Sequence, residues 1–122
     1  MKLMNLEDVA HRQASTLPGG LQRTLSVASA IVGTPKLVLL DEPFAGLNPT
    51  EKVSLAAKLQ QINGMGVTIV LVEHDLKTVL RVCSTVTVIN FGKKIAEGNP
   101  HDVVRDAAVV NAYIGSGMRS YA

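Results

Sequence analysis

Two pairs of adjacent polar residues, Asp41-Glu42 and Glu73-His74, each follow directly on an aliphatic run, residues 37–40 (LVLL) and 67–72 (VTIVLV). A carboxylate at a strand tip, beside a loop that leads into a helix, is placed to hold Mg²⁺ directly or through water. A second carboxylate next to it points the other way along the pleat and can polarise a water. A histidine on the neighbouring strand tip can hydrogen-bond charge developing on a phosphate. Asp41, Glu42 and His74 in this order point to metal-assisted phosphoryl transfer. Each residue alone also fits a plainer role. Asp41 and Glu42 can cap the following loop, and His74 can be a surface residue ahead of Asp75, itself a helix cap.

These groups work together only if the elements beneath them end at one place. Residues 37–40 are apolar without alternation, which predicts a strand buried on both faces, and residues 67–72 read the same way. Between them Asn48-Pro49-Thr50-Glu51 is a helix start, with Asn as N-cap, Pro at the first position and Glu two residues on. That helix carries Leu55, Leu59 and Ile62 on one face and ends at Asn63-Gly64. Upstream, residues 5–13 suit a short helix. Leu17-Pro18-Gly19-Gly20 then opens a helix with Leu21, Leu25, Ala28 and Val32 as its apolar stripe, stopped by Gly33 and Pro35. Downstream the pattern predicts a helix at Leu76–Val82 and a strand over 85–90. A strand over 94–98 pairs with it across the turn Phe91-Gly92-Lys93, and a helix start at Asn99-Pro100 precedes a helix over 103–114. Apolar strands alternating with helices indicate an α/β layer with a parallel sheet. Active groups in such sheets gather at the carboxyl ends of the strands, where both polar pairs fall.

The bulk numbers exclude several classes. The chain has 122 residues, 47% of them hydrophobic and 3% aromatic, with no Trp, so the core must be aliphatic. A net charge of +2 without a clustered basic stripe gives no reason to expect nucleic acid. The single Cys83 has no partner for an internal disulfide and reads as a small core residue in a reducing compartment. No apolar run reaches the ~18 residues of a membrane helix, and the N-terminus lacks the form of a secretory signal. The expectation is a soluble, cytoplasmic chain.

LPGGLQR, LVLLDEP, AGLNP and LVEHD, in this order and at these spacings, resemble the second half of an ABC-transporter ATP-binding subunit. The stretch INFGKKIAEGNPHDVV with AYIG is most similar to the branched-chain amino-acid uptake type. The likeness runs over nearly the whole chain. It implies a partial P-loop ATPase core, α/β, with a mainly parallel three-layer sheet and helices that lacks the phosphate-loop strand. It divides the chain into a polar lead-in at 1–16, the C-terminal half of an ATP-binding domain at 17–114 and a tail at 115–122. It implies that Leu17, Pro18, Gly19, Gly20 and Leu21 contact ATP held by the opposite subunit. Asp41 would hold Mg²⁺, Glu42 would be the general base, and His74 would contact the γ-phosphate. Ala45, Gly46, Leu47 and Asn48 would form the loop that couples the two halves of a dimer. The sequence departs from the pattern at Pro18, where serine is usual, at Leu21, where glutamine is usual, and at Asn48, where aspartate is more usual. A proline offers neither hydroxyl nor N–H.

The phosphate cradle GxxxxGK[ST] does not occur in these residues. Gly92-Lys93-Lys94 is the only Gly-Lys pair, and it sits in a hairpin turn. Nor does the chain contain the aromatic residue that stacks on adenine or the glutamine loop that senses the membrane partner. Mg-ATP is the implied cofactor, with no binding by this chain alone as the alternative. The implied partners are a second copy or a full-length ATPase subunit, together with membrane permease subunits at the inner face of the membrane. Without the cradle strand, the strands over 67–72 and 85–90 keep unpaired edges or close on each other, at on the order of 1–3 kcal/mol per unpaired group. The chain is therefore expected to depart from the larger fold and to associate, as a homodimer covering the open edges. Alone it would not hydrolyse ATP. The competing reading is a non-enzymatic module that pairs with a full-length subunit and modulates it, and a third is a decayed gene product without function.

Overall fold

The computed structural model describes residues 2–114, and the expected tail at 115–122 lies outside them. The chain falls into two compact units, residues 1–78 and 79–122.

The first unit opens with three single-turn 3₁₀ helices, Lys2–Met4, Glu7–Val9 and Ala14–Thr16, in place of the short helix expected over 5–13. Helix α1 (Gly19–Ile31) follows; Gln22 N–H donates to Pro18 O at 3.0 Å, closing its first turn. The helix buries Thr24 and Val27, and the expected stripe is only half covered at Leu21, Leu25 and Ala28, with Val32 80% exposed. Thr24 takes an inward position because its hydroxyl donates to Gly20 O at 2.9 Å, so no polar group is stranded.

Strand β1 (Leu37–Asp41) pairs in parallel with β2 (Thr68–Val72), Leu37 opposite Thr68 and Asp41 opposite Val72. Helix α2 (Pro49–Gly64) links them, starts where the sequence indicates, and buries Leu55, Ala56, Leu59 and Ile62. With Phe44, Met4, Leu6 and Val27 these side chains form the core of the unit. Each such side chain taken from water contributes about 1.5–3 kcal/mol. The expectation of strands buried on both faces does not hold. Val38 is buried, with Ile69, Leu40 and Leu71 half-buried beside it, whereas Leu37, Leu39, Val70 and Val72 on the other face are 52%, 71%, 47% and 60% exposed. No layer among the described residues of this unit covers that face.

Helix α3 (Leu76–Val82) crosses the boundary into the second unit. There β3 (Val86–Asn90) and β4 (Lys93–Gly98) form an antiparallel hairpin. Its turn is the two residues Phe91-Gly92, both with positive φ (47° and 73°), and Lys93 belongs to the strand. Such turns suit the right-handed twist of paired strands. A register shift between Val88 and Ile89 leaves Ile95 as the extra residue of a bulge. Helices α4 (Pro100–Val103) and α5 (Ala107–Ile114) complete a small core of Val88, Val103 and Val109. One helix was expected over 103–114; the chain instead breaks at 104–106, where Asp106 Oδ1 accepts from Ala108 N–H at 2.8 Å and restarts it.

Among the described residues the strands form two pairs, β1-β2 and β3-β4, so β2 and β3 each keep an edge without a strand partner. Among the described residues no helix is long and apolar enough to cross a membrane.

Candidate functional site

The parallel register sets the carboxyl ends of β1 and β2 side by side, and this brings the predicted residues together. Asp41 ends β1, exposed, opposite Val72. Glu42 leaves the strand in the left-handed region, φ 44°, with its N–H donating to Val72 O at 2.9 Å. A glutamate in that conformation costs on the order of 1 kcal/mol, and such residues concentrate at functional sites. The turn carries the Glu42 side chain to His74, whose Nδ1 lies 3.0 Å from Glu42 Oε1. The two side chains are 49% and 74% exposed, so this pair is open to solvent.

The two neighbours of His74 are anchored, which fixes the strand tip that bears it. Glu73 Oε1 accepts from the N–H of the buried Phe44 at 3.2 Å, tying the tip of β2 to the loop after β1. Asp75 accepts from Lys52 Nζ on α2 at 2.9 Å, from Thr78 Oγ1 at 2.9 Å and from Lys77 N–H at 3.1 Å. The Lys52 ammonium beside it holds the Asp75 carboxyl below its ordinary value, against some desolvation and with help from Thr78. On α2, burial lowers the Lys58 ammonium; its Nζ donates to Met4 O at 2.9 Å.

A second cluster is built from α1 and the loop after Phe44. Leu17 is buried and its carbonyl accepts from Gln22 Nε2 at 2.9 Å. Pro18 is the N-cap of α1 and makes no side-chain cap, so Gly19, Gly20 and Leu21 present N–H groups ahead of the first helical bond. Across from them run Ala45, Gly46 (φ 75°) and the buried Leu47, with Ala45 N–H on Glu42 O at 3.1 Å. Asn48 and Glu51 cap α2 reciprocally. An open groove of about 390 Å³ lies between the two segments, lined by Gly19, Gln22, Arg23, Ser26, Ala45, Gly46 and Leu47. Sequence reasoning named both segments, with Glu51 only as part of a helix start, but missed Arg23 and Ser26, whose helical spacing from Gly19 was the available signal.

Among the described residues no three His, Cys, Asp or Glu side chains converge on a metal site. The exposed Asp41 oxygens, with Glu42 next in the chain, suit Mg²⁺, which takes one or two carboxylates and completes its shell with water and substrate phosphates.

Two family models match the chain: ABC transporter over residues 1–45, and branched-chain amino acid ATP-binding cassette transporter over residues 93–118. The high-affinity branched-chain amino acid transport ATP-binding protein BraF of Pseudomonas aeruginosa is 39% identical over 113 residues, 92% of this chain and 44% of that protein. The high-affinity branched-chain amino acid transport ATP-binding protein LivG of Escherichia coli K12 is 38% identical over 116 residues, 94% of this chain and 46% of that protein. Among solved structures, the ADP conformation of MJ1267, an ATP-binding cassette of an ABC transporter, agrees with a TM-score of 0.86 at 30% identity, covering 93% of this chain and 46% of that one. The expected departure from the larger fold is therefore not observed. The chain spans a little under half the length of the relatives it matches.

Proposed function

We propose that the chain is the hydrolysis-side portion of an ABC-transporter ATP-binding subunit related to those of branched-chain amino acid uptake, a reading supported by its likeness to that family. The observation that carries this reading is the meeting of Glu42 and His74 at 3.0 Å beside Asp41. Asp41 would hold Mg²⁺, which would supply neutralisation of charge on the phosphates. Glu42 accepts the proton of the attacking water. His74 steers the same place. With Nδ1–H donated to Glu42, Nε2 of a neutral imidazole is an acceptor, so His74 donates to an anionic oxygen only as imidazolium or after leaving Glu42. Residues 17–21 present N–H groups to ATP held by the opposite subunit, through Gly19, Gly20 and Leu21, since Pro18 has none to give. The loop of Ala45, Gly46, Leu47 and Asn48 couples the two halves of the dimer.

A positioned base needs a bound phosphate, and GxxxxGK[ST] is not among these 122 residues. The chain by itself therefore does not hydrolyse ATP, and a segment bearing the phosphate loop completes the site. Association as a homodimer or with a full-length subunit covers the exposed face of β1-β2, and the assembly works at the cytoplasmic face of a membrane against permease subunits. The second reading, a module that only modulates a full-length subunit, is favoured by that same exposed face.

Calorimetric titration with Mg-ATP tests the proposal. The 122-residue chain alone gives no saturable heat up to millimolar ATP. Addition of the phosphate-loop half of a family member produces saturable binding that Asp41→Asn weakens. Absence of binding in the mixture refutes the reading, and saturable binding by the chain alone refutes the claim that it is incomplete.

A further inference from the structure

We propose that Glu51 locks the start of α1 to the loop of residues 45–48 within one chain, so that movement of that loop is felt at Gly20. The role rests on the reading of these two stretches as the nucleotide-contacting and coupling segments. The Glu51 carboxylate has a fixed place. Its Oε2 accepts from Asn48 N–H at 2.9 Å, while Asn48 Oδ1 accepts from Glu51 N–H at 2.9 Å. From there the carboxylate fills the space over Gly20, where the carbon of any side chain would overlap Oε1 and Cδ of Glu51.

The two glycines at this helix start differ. A side chain at Gly19 would meet nothing within 4 Å, and neither Gly19 nor Gly20 has positive φ. Backbone conformation therefore demands glycine at neither position. Inside a helix glycine is the weaker choice. A side chain at position 20 would have to push aside the Glu51 carboxylate, the far end of a flexible side chain. The same negative charge sits near the N-terminus of α1, whose dipole favours it. An anion approaching that helix start meets a resident carboxylate that is bonded to the neighbouring loop. Displacing the carboxylate releases Asn48 N–H and loosens the loop.

Amide hydrogen exchange of the ¹⁵N-labelled 122-residue chain, without nucleotide, tests this. Gly20→Ala accelerates exchange at Asn48 by about fivefold, the loss of one cap bond, and Gly19→Ala leaves it unchanged. Glu51→Ala gives the same acceleration, after which adding Gly20→Ala has no further effect. Glu51→Gln, whose side-chain oxygen can still accept, retains protection. An Asn48 amide indifferent to Gly20→Ala, or a Gly20→Ala effect that persists in Glu51→Ala, overturns the proposal. Should Gly20→Ala alone fail to fold, recovery of folding in the Gly20→Ala/Glu51→Ala double variant supports the clash, and its absence refutes it. Because no ATP is present, this outcome is independent of the Mg-ATP titration.

Discussion

Replacing Asp75 with alanine removes three contacts at once, and their sizes can be set from the geometry. The bond from Lys77 N–H is a turn-type cap at the start of α3, about 1 kcal/mol. The Lys52 ion pair, with side chains 34% and 24% exposed, is screened by solvent and contributes roughly 0.5 kcal/mol. Thr78 is buried and its hydroxyl loses its acceptor, costing on the order of 1 kcal/mol. Asp75→Ala should therefore cost about 2–3 kcal/mol at neutral pH, read as a lower urea midpoint at unchanged slope. The pH dependence has a definite sign. The folded carboxyl is held below its unfolded value, so its contribution is complete above the ordinary carboxylate range and disappears as pH falls through the lowered folded value. The gap between wild type and Asp75→Ala should accordingly narrow on acidification, with wild type losing the stability. A cost under about 0.5 kcal/mol at pH 7, within the range of an ordinary surface substitution, or a gap that stays constant into acid, would refute the reasoning.

Glu42→Gly relieves the left-handed strain at φ 44°, so it should raise the thermal midpoint by a few degrees, corresponding to about 1 kcal/mol, while removing the proposed base; an unchanged or lower midpoint contradicts the strain. Phe91 is 98% exposed with φ 47° at the first position of the hairpin turn, and Phe91→Asn should stabilise by roughly 0.5–1 kcal/mol because Asn-Gly suits that turn, as scanning calorimetry would report. Leu39 is the most exposed of the large apolar residues on the open face of β1-β2, and Leu39→Asp should weaken self-association about tenfold, the loss of some 1–1.5 kcal/mol of apolar burial. Light scattering across concentrations measures this, and a wild-type chain that stays monomeric throughout contradicts it.

The sequence made local features legible and left non-local ones hidden. The start of α2 could be read directly, because Asn48, Pro49 and Glu51 satisfy that helix end among themselves. The nearness of Glu42 and His74 was also readable, since parallel strands bring their carboxyl ends together. The sidedness of β1 was not: Leu37 and Leu39 look like core residues in a string of letters, yet they lie on the face that no described element of their unit covers. Thr24 displaced the expected stripe of α1 through a side-chain bond that hydropathy does not register. The left-handed turn at Glu42 has no signal in residue type, because glutamate is a poor choice there and only its setting at the strand tip imposes it. The break before α5 did have a signal, Asp106, which the apolar run around it masked.

The contrast between the two strand pairs sets an order of events in time. The hairpin β3-β4 closes through two residues, a search that takes microseconds. The parallel pair must first bring Leu37 to Thr68, with helix α2 formed in between, and the entropy of closing so long a loop is spent before any strand bond repays it. The hairpin should thus be in place while β1 and β2 are still searching, and the site at their tips, with Asp41, Glu42 and His74, is among the last parts of the molecule to take shape.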